Sequence, residues 1–221
     1  MTTEKIASVL VKAFQVLSFD PNKIYNKANN HTVSEWRHIQ EGLAGAAGTG
    51  AAIVPGLHIP ALGVDIGYLI NRMDECCYGI GAIVGMQSGL GNILEKEDLA
   101  NILALWCNAI TIAQLDRVQY ENRENKLGTK LTQPALGKVG AVSLGVLGAT
   151  SNRLTLKVAT KMAAKLGAKI TTKTAAGFIP LAGALASGGI NVWLVSSVSN
   201  AAEKYYSWKA GCFFDWNLST R

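Results

Sequence analysis

A row of basic side chains at every fourth position constrains this chain more than any other feature of its sequence. The row contains six residues: Arg153, Lys157, Lys161, Lys165, Lys169 and Lys173. A parallel apolar row lies beside it: Leu154, Val158, Met162, Leu166 and Ile170. A spacing of four is close to the helical repeat and drifts by about 40° per step. The segment is therefore predicted to form an amphipathic helix whose basic side chains wind around its axis.

The charge of the chain is distributed unevenly. Nine basic residues and no acidic residue lie between Glu124 and Glu203, so this segment carries +9 and the rest of the chain −3. Like charges four residues apart repel each other on a helix, and a solvated face normally interleaves Glu with Lys. The pattern favours an anionic partner, either outside the chain or among acids elsewhere in the fold. An ordinary solvated helix face is the alternative.

Helical periodicity extends along nearly the whole chain. A capping box, Thr32 to Glu35, opens one helix, and a second helix is predicted from Ala61 towards Tyr78. A third is predicted from the acids near Glu95 to about Tyr120. No segment sustains the alternation of a half-buried strand. The predicted fold is all-α, a single domain of seven or eight helices over residues 1–221, with a subdomain boundary near 121–133.

Three long stretches carry no formal charge and have two interpretations. They are Gly42 to Val64, Cys76 to Leu94 and Ala175 to Ala202, and each reaches the length of a bilayer span. Polar residues and prolines interrupt them, which favours buried helices of a core, while insertion into a membrane stays open. Glycines within them suggest close helix–helix approach. The helix that contains Asp65 is expected to pack against the helix that contains Asn191.

Three polar residues in apolar surroundings are candidates for buried functional groups. Asp65 lies among apolar residues, and Arg72 follows seven residues later on the same helix face. The carboxylate is either a paired structural group or a functional ionisable one. Asn191, inside the last apolar helix, is more typical of an interhelical hydrogen bond than of a ligand contact.

Local motifs for catalysis and cofactor binding are lacking. The glycines from Gly79 to Gly85 follow a predicted helix and have the wrong spacing for dinucleotide binding. Three scattered histidines indicate no zinc site, and four cysteines, two of them adjacent, indicate no disulfide framework. We expect no enzymatic activity, no cofactor and no metal. Specific nucleic-acid binding is not expected either, because no aromatic residue lies between Glu124 and Phe178.

Two stretches resemble the EcsC-like family of bacterial proteins. The first, from Val54 to Gly79, is similar to that family's Pro-Gly turn, Ala-Asp helix and closing Tyr-Gly pair. The second, from Lys165 to Tyr206, is similar to the family's Ile-Pro helix with its buried asparagine, here Asn191, and terminal aromatic pair. Together they cover about 70 residues. The resemblance implies a mostly helical, membrane-associated bacterial protein and supplies no catalytic residues.

The leading functional hypothesis is a membrane-associated helical protein. The basic row from Arg153 to Lys173 would dock on anionic headgroups, with about 1 kcal/mol per charge near the surface. Apolar helices would then enter or pack in the bilayer, as in a pore-forming toxin or an accessory to a membrane transporter. The expected partners are anionic membrane lipids, with an immunity protein in the first case and a transporter protein in the second. The alternative is a soluble helical interaction module that binds an acidic partner.

The expected location follows from the N-terminal sequence. Met1 to Asp20 is amphipathic and lacks the continuous apolar core of a secretory signal. A cytoplasmic or peripheral-membrane location in a reducing compartment is therefore expected. Export by a route that reads no N-terminal signal stays open.

Overall fold

The computed structural model describes residues 21–51, 61–95, 98–117, 158–165 and 180–219. These ranges contain the helices α1 (Pro21–Ala28), α2 (Val33–Ala51), α3 (Ala61–Gln87), α4 (Asp98–Trp106), α5 (112–117), α6 (158–165) and α7 (Pro180–Ser219). No strand occurs in them, and the predicted all-α bundle is confirmed. The predicted boundary near 121–133 and the stretch from Met1 to Asp20 lie outside the described residues.

Helices α3 and α7 form the centre of the core, which confirms that the Asp65 helix packs against the Asn191 helix. Helices α2 and α4 each pack against both of them, and α1 packs on α3. Helix α2 and helix α4 contact different residues of α7. Gly45 of α2 packs against the side chain of Val192, whereas the indole N–H of Trp106 in α4 donates a hydrogen bond to Ser197.

Two helices begin at capping boxes. The backbone N–H of Glu35 donates to Thr32 Oγ1 at 3.2 Å, and the backbone N–H of Thr32 donates to the Glu35 carboxylate at 2.8 Å. This reciprocal pair satisfies two donors at the start of α2, as predicted. The hydrogen bonds from Thr32 also lower the pKa of Glu35. Thr111 and Gln114 form the same arrangement before α5, with the Thr111 N–H 2.9 Å from Gln114 Oε1.

Helix α3 ends at Gln87 and not near Tyr78, where the sequence pattern placed its end. The ending is a Schellman motif around Gly89, which has a φ of 68°. The backbone N–H of Leu90 donates to the carbonyl of Gly85 at 2.9 Å and closes this motif. The glycines of α3 before Gly89, such as Gly79 and Gly81, are helical. The high glycine content of this segment therefore does not predict where α3 ends.

The glycines inside α3 allow aromatic rings to lie on its backbone. A Cβ on Gly79 would lie 2.0 Å from the Trp36 indole nitrogen, and a Cβ on Gly81 would lie 2.3 Å from Tyr206 Cζ. Both rings are fully buried. Their packing offsets the helix cost of glycine, which is about 1 kcal/mol per residue. Close approach is therefore the reason for these glycines, but the approaching groups are side chains instead of a second backbone.

Helix α4 ends at Trp106 instead of continuing to about Tyr120. Asn108 has a φ of 56°, and the backbone N–H of Ala109 donates to the carbonyl of Ala104 at 2.7 Å. This is a second Schellman ending, with asparagine in the left-handed position that it tolerates better than most residues. The chain restarts as α5 after this corner, and the sequence pattern merged the two helices because buried apolar residues continue across it.

The described parts of the uncharged stretches contribute to the core. In the stretch from Cys76 to Leu94, eight consecutive residues from Cys76 to Ile83 are buried. In the last stretch, Leu194, Val195 and Val198 are buried. Residues 52–60 of the first stretch lie outside the described ranges. Among the helices of the described ranges, none combines the length and the apolar character that a bilayer crossing requires.

Replacing Gly81 by alanine is expected to destabilise the fold by about 1–3 kcal/mol, the usual cost of overpacking a core. The new Cβ would lie 2.3 Å from Tyr206 Cζ and 2.6 Å from Leu94 Cδ2. Gly189→Ala is the matched control, because Gly189 is helical and exposed and nothing lies within 4 Å of its built Cβ. That substitution should stabilise α7 by about 0.5–1 kcal/mol. Urea unfolding followed by circular dichroism measures both, and equal free energies for the two variants would contradict the packing.

Candidate functional site

Helix α6 lies on the core through one face. Its buried residues are Val158, Ala159, Met162 and Ala163, and its exposed residues are Thr160, Lys161 and Ala164. The amphipathic character predicted from the parallel basic and apolar rows is confirmed for 158–165. The apolar side fixes the helix on the protein, and the opposite side presents Lys161 to solvent.

The two described lysines of the basic row bind the corner that follows α4. Lys161 Nζ donates to the carbonyl of Asn108 at 3.0 Å, and Lys165 Nζ donates to the carbonyl of Trp106. The Lys165 ammonium also lies 4.5 Å from the centroid of the Trp106 ring, within the range of a cation–π interaction. The two ammonium groups therefore flank Cys107.

The α4 corner attracts cations for a simple structural reason. The last carbonyl groups of a helix lack intrahelical donors and carry the negative end of the helix dipole. Two lysine side chains supply donors at this end of α4. The Trp106 indole also binds α7, because its Nε1 donates to Ser197 Oγ at 2.9 Å. The corner therefore connects α4, α6 and α7.

The charge of these two lysines is not neutralised by a carboxylate in the described part of the chain. Their hydrogen bonds there go to carbonyl oxygens, and no ion pair within those residues includes Lys161 or Lys165. Desolvation lowers the pKa of Lys165, which is half-buried against the Trp106 ring. At this part of the row, the repulsion between neighbouring lysines is therefore not relieved by acids of the described fold.

The other four members of the basic row, Arg153, Lys157, Lys169 and Lys173, lie outside the described residues. The structure thus places two of the six predicted membrane-binding residues, and it brings both to the same corner.

Arg72 is paired within the fold. Its Nη2 donates to Glu75 Oε1 at 2.8 Å, and its Nη1 donates to Gln40 Oε1 of α2 at 3.3 Å. Asp65, the predicted partner of Arg72, lies in α3, but its side chain is outside the described residues. The partner that the structure gives to Arg72 is therefore Glu75, one helical turn away.

Asn191 is buried and joins two helices. Its Nδ2 donates to the carbonyl of Ala44 in α2 at 3.2 Å. The prediction of an interhelical hydrogen bond is confirmed. The small residues of α2 allow the backbones to come close enough for this contact, since the neighbouring Gly45 faces Val192 directly.

A buried charged cluster, which sequence reasoning missed, joins α7 to the start of α4. Lys209 Nζ lies 2.7 Å from Asp98 Oδ1, 2.9 Å from Asp98 Oδ2 and 3.2 Å from Glu95 Oε2. The Tyr205 hydroxyl donates to Asp98 Oδ1 at 2.8 Å, and the backbone N–H of Glu95 donates to Asp98 Oδ2 at 2.9 Å. Asn101 Nδ2 donates in turn to the Tyr205 hydroxyl at 3.1 Å. Four donated hydrogen bonds thus satisfy the Asp98 carboxylate, which is completely buried.

A periodicity signal for this cluster is present in the sequence. Ala202, Tyr205, Tyr206, Lys209 and Phe213 recur at helical spacing, and all five are buried. A single lysine within such an apolar stripe requires an acidic partner. In the sequence, Glu95 and Asp98 indicate only favourable charges at a helix N-terminus, and nothing in their local pattern points to Lys209 as a partner.

Lys209→Met should destabilise the protein by about 3–5 kcal/mol, the usual cost of leaving a buried charge without its partner. The carboxylate of Asp98 would lose two of its donated hydrogen bonds while staying buried. Lys204→Met is the control, because Lys204 is exposed on the same helix and should change stability by less than about 0.5 kcal/mol. Chemical unfolding measures both. A small effect of Lys209→Met would show that the cluster does not stabilise α7.

Asp74 is a buried carboxyl group with an unfavourable environment. It is 4% exposed, and its Oδ1 has no hydrogen-bond partner among the described residues. Burial, together with the neighbouring Glu75, raises its pKa from the ordinary 3.8 to about 7, and Arg72 opposes the shift. The carboxyl therefore changes charge near neutral pH. Its ionised form opposes folding.

Asp74→Asn is expected to stabilise the protein in a pH-dependent way. Because the folded pKa of Asp74 exceeds the unfolded value, folding is favoured at acidic pH, and this contribution is lost as pH rises towards about 7. The asparagine variant should therefore gain a few kcal/mol at about pH 8, and the gain should shrink towards about pH 4. Urea unfolding across this range measures the difference. A gain that does not change with pH would contradict the ionisation of Asp74.

The cysteines and histidines form no recognised reactive or metal-binding group in the described ranges. All four cysteines are free and buried. Burial raises the pKa of Cys76 to about 12 and that of Cys77 well above its usual range. No cluster of three or more His, Cys, Asp or Glu side chains with metal-binding geometry occurs among the described residues. These thiols have the environment of core residues.

Comparison of the chain with protein-family models, curated proteins and solved structures finds no match. The resemblance to the EcsC-like family stays a prediction. The candidate site is therefore defined by its own geometry: a core-anchored helix whose two described lysines bind the α4 corner and face no described carboxylate.

Proposed function

We propose that the protein docks on anionic membranes through the basic row that includes Lys161. The observation that carries the proposal is the environment of the two described lysines. Carbonyl oxygens bind their ammonium groups, but a carbonyl carries only a partial charge and leaves the formal charge of the lysine in place. An anionic surface would supply the missing negative charge.

The anchoring of α6 supports a docking role. Val158 and Met162 are buried, so the helix would not need to leave the protein for Lys161 to reach a surface. The Lys161 ammonium has three donor positions, and one of them binds Asn108. Headgroup phosphates would accept hydrogen bonds from the others. The remaining members of the row, from Arg153 to Lys173, would extend the attraction.

The proposal leaves two roles for a membrane-bound protein. A pore-forming toxin would release vesicle contents, whereas an accessory to a membrane transporter would bind without leakage. The resemblance to the EcsC-like family favours membrane association and does not choose between these roles. An acidic protein partner is the competing proposal, because a carboxylate cluster could bind the same lysines.

Flotation of the full-length protein with lipid vesicles tests the proposal. We expect binding to vesicles that contain phosphatidylserine, little binding to neutral phosphatidylcholine vesicles, and weaker binding as salt screens the attraction. Lys161→Glu changes the charge at this position by two units. Because each unit contributes about 1 kcal/mol to the binding free energy near the surface, the variant should bind about thirtyfold more weakly. Helix content from circular dichroism must stay unchanged in this variant.

Lys204→Glu is the matched control, because it makes the same charge change at an exposed position of α7. It should weaken binding far less than Lys161→Glu does. Equal effects of the two variants would mean that net charge, and not the α6 surface, governs binding. If the wild-type protein ignores anionic vesicles, the membrane proposal fails and the acidic-partner proposal takes its place. Release of an encapsulated dye then separates the toxin role from the accessory role.

A further inference from the structure

The two described lysines of the basic row occupy different environments, although they belong to one four-residue spacing. Lys161 is exposed, and its described contact is the carbonyl of Asn108. Lys165 is half-buried, binds the carbonyl of Trp106 and lies over the Trp106 ring. The row is therefore not a uniform cationic surface.

Helix geometry explains the difference. Successive positions at a spacing of four drift by about 40° around the helix axis. In α6 this drift carries Lys165 towards the side that holds the buried Val158 and Met162, and it leaves Lys161 nearer the exposed side. One repeat in the sequence thus yields one outward and one inward lysine.

The contacts of Lys165 connect three helices. Its ammonium caps the end of α4 at Trp106 and packs on the face of the indole ring. The same indole donates its N–H to Ser197 of α7 at 2.9 Å, and the Trp106 side chain is buried. Lys165 could reach an external phosphate only by leaving both the carbonyl and the ring. Of its contacts with described residues, Lys161 loses only the exposed one to the carbonyl of Asn108 when it turns to a surface.

We propose that Lys165 is a positioning residue that fastens α6 to the α4 corner, and that Lys161 is the described lysine that contacts anionic headgroup phosphates. This division of roles rests on the proposed membrane docking and refines it. It predicts that two lysines of equal charge, four residues apart, make separable contributions. Lys165 contributes to the stability of the fold, and Lys161 contributes to vesicle affinity.

Three variants of the full-length protein test the division: Lys161→Gln, Lys165→Gln and Lys165→Arg. Lys165→Gln should lower the thermal unfolding midpoint by a few degrees, and Lys165→Arg should restore it, because arginine keeps the charge and the ring contact. Lys161→Gln should leave the midpoint unchanged and weaken binding to phosphatidylserine vesicles about fivefold. Well below its midpoint, Lys165→Gln should weaken binding to those vesicles clearly less than Lys161→Gln does, because the half-buried ammonium of Lys165 is held at the α4 corner.

Two outcomes would overturn the division of roles. An unchanged midpoint for Lys165→Gln would exclude the positioning role, whatever the vesicle result. Equal losses of vesicle affinity in Lys161→Gln and Lys165→Gln would show that both lysines act only through their charge. If the wild-type protein does not bind vesicles, the proposed function fails, and the headgroup role of Lys161 fails with it. The midpoint of Lys165→Gln, with its rescue by arginine, would still decide the anchoring role by itself.

Discussion

A carboxylate that is removed from water must receive hydrogen bonds from the protein, and the Asp98 side chain imposes this requirement on much of the fold. Its donors are three groups from two parts of the fold: Lys209 and Tyr205 of α7, and the backbone N–H of Glu95 before α4. For these donors to reach the Asp98 carboxylate, the second half of α7 must lie beside the first turn of α4. Lys209 in turn lies near the rings of Tyr205 and Tyr206, so the ionic contact and the aromatic core form one unit.

The same region fixes α3. Tyr206 lies on Gly81, and the ring can take that place only because α3 has no side chain there. A bulkier residue would push α7 outward and lengthen the hydrogen bonds from Tyr205 and Lys209 to Asp98. The charged cluster and the glycines of α3 therefore depend on each other, although they are far apart in the sequence.

Local features were predictable from the sequence, and features set by distant contacts were not. The capping box at Thr32 follows from short-range chemistry and was predicted correctly. The interhelical role of Asn191 was also predicted, because a buried amide needs a hydrogen-bond partner, but the pattern did not identify Ala44 as that partner. The ends of α3 and α4 were placed wrongly. Gly79 and Gly81 are explained by rings from other helices, and the corner at Asn108 interrupts an apolar pattern that continues across it. The sequence also marked the basic row, but only the fold shows that the inward Lys165 meets the carbonyl and the ring of Trp106.

The burial of every cysteine has a consequence for how the folded chain can be studied. A thiol reacts as its thiolate, and burial raises the pKa of Cys76, Cys77 and Cys107. Alkylating reagents should therefore modify these residues only when the surrounding helix opens. The thiols lie in separate places: two in α3, one at the α4 corner, and Cys212 near the end of α7. Mass spectrometry of labelled peptides would then give the opening rate of each region from native residues alone, without any engineered probe.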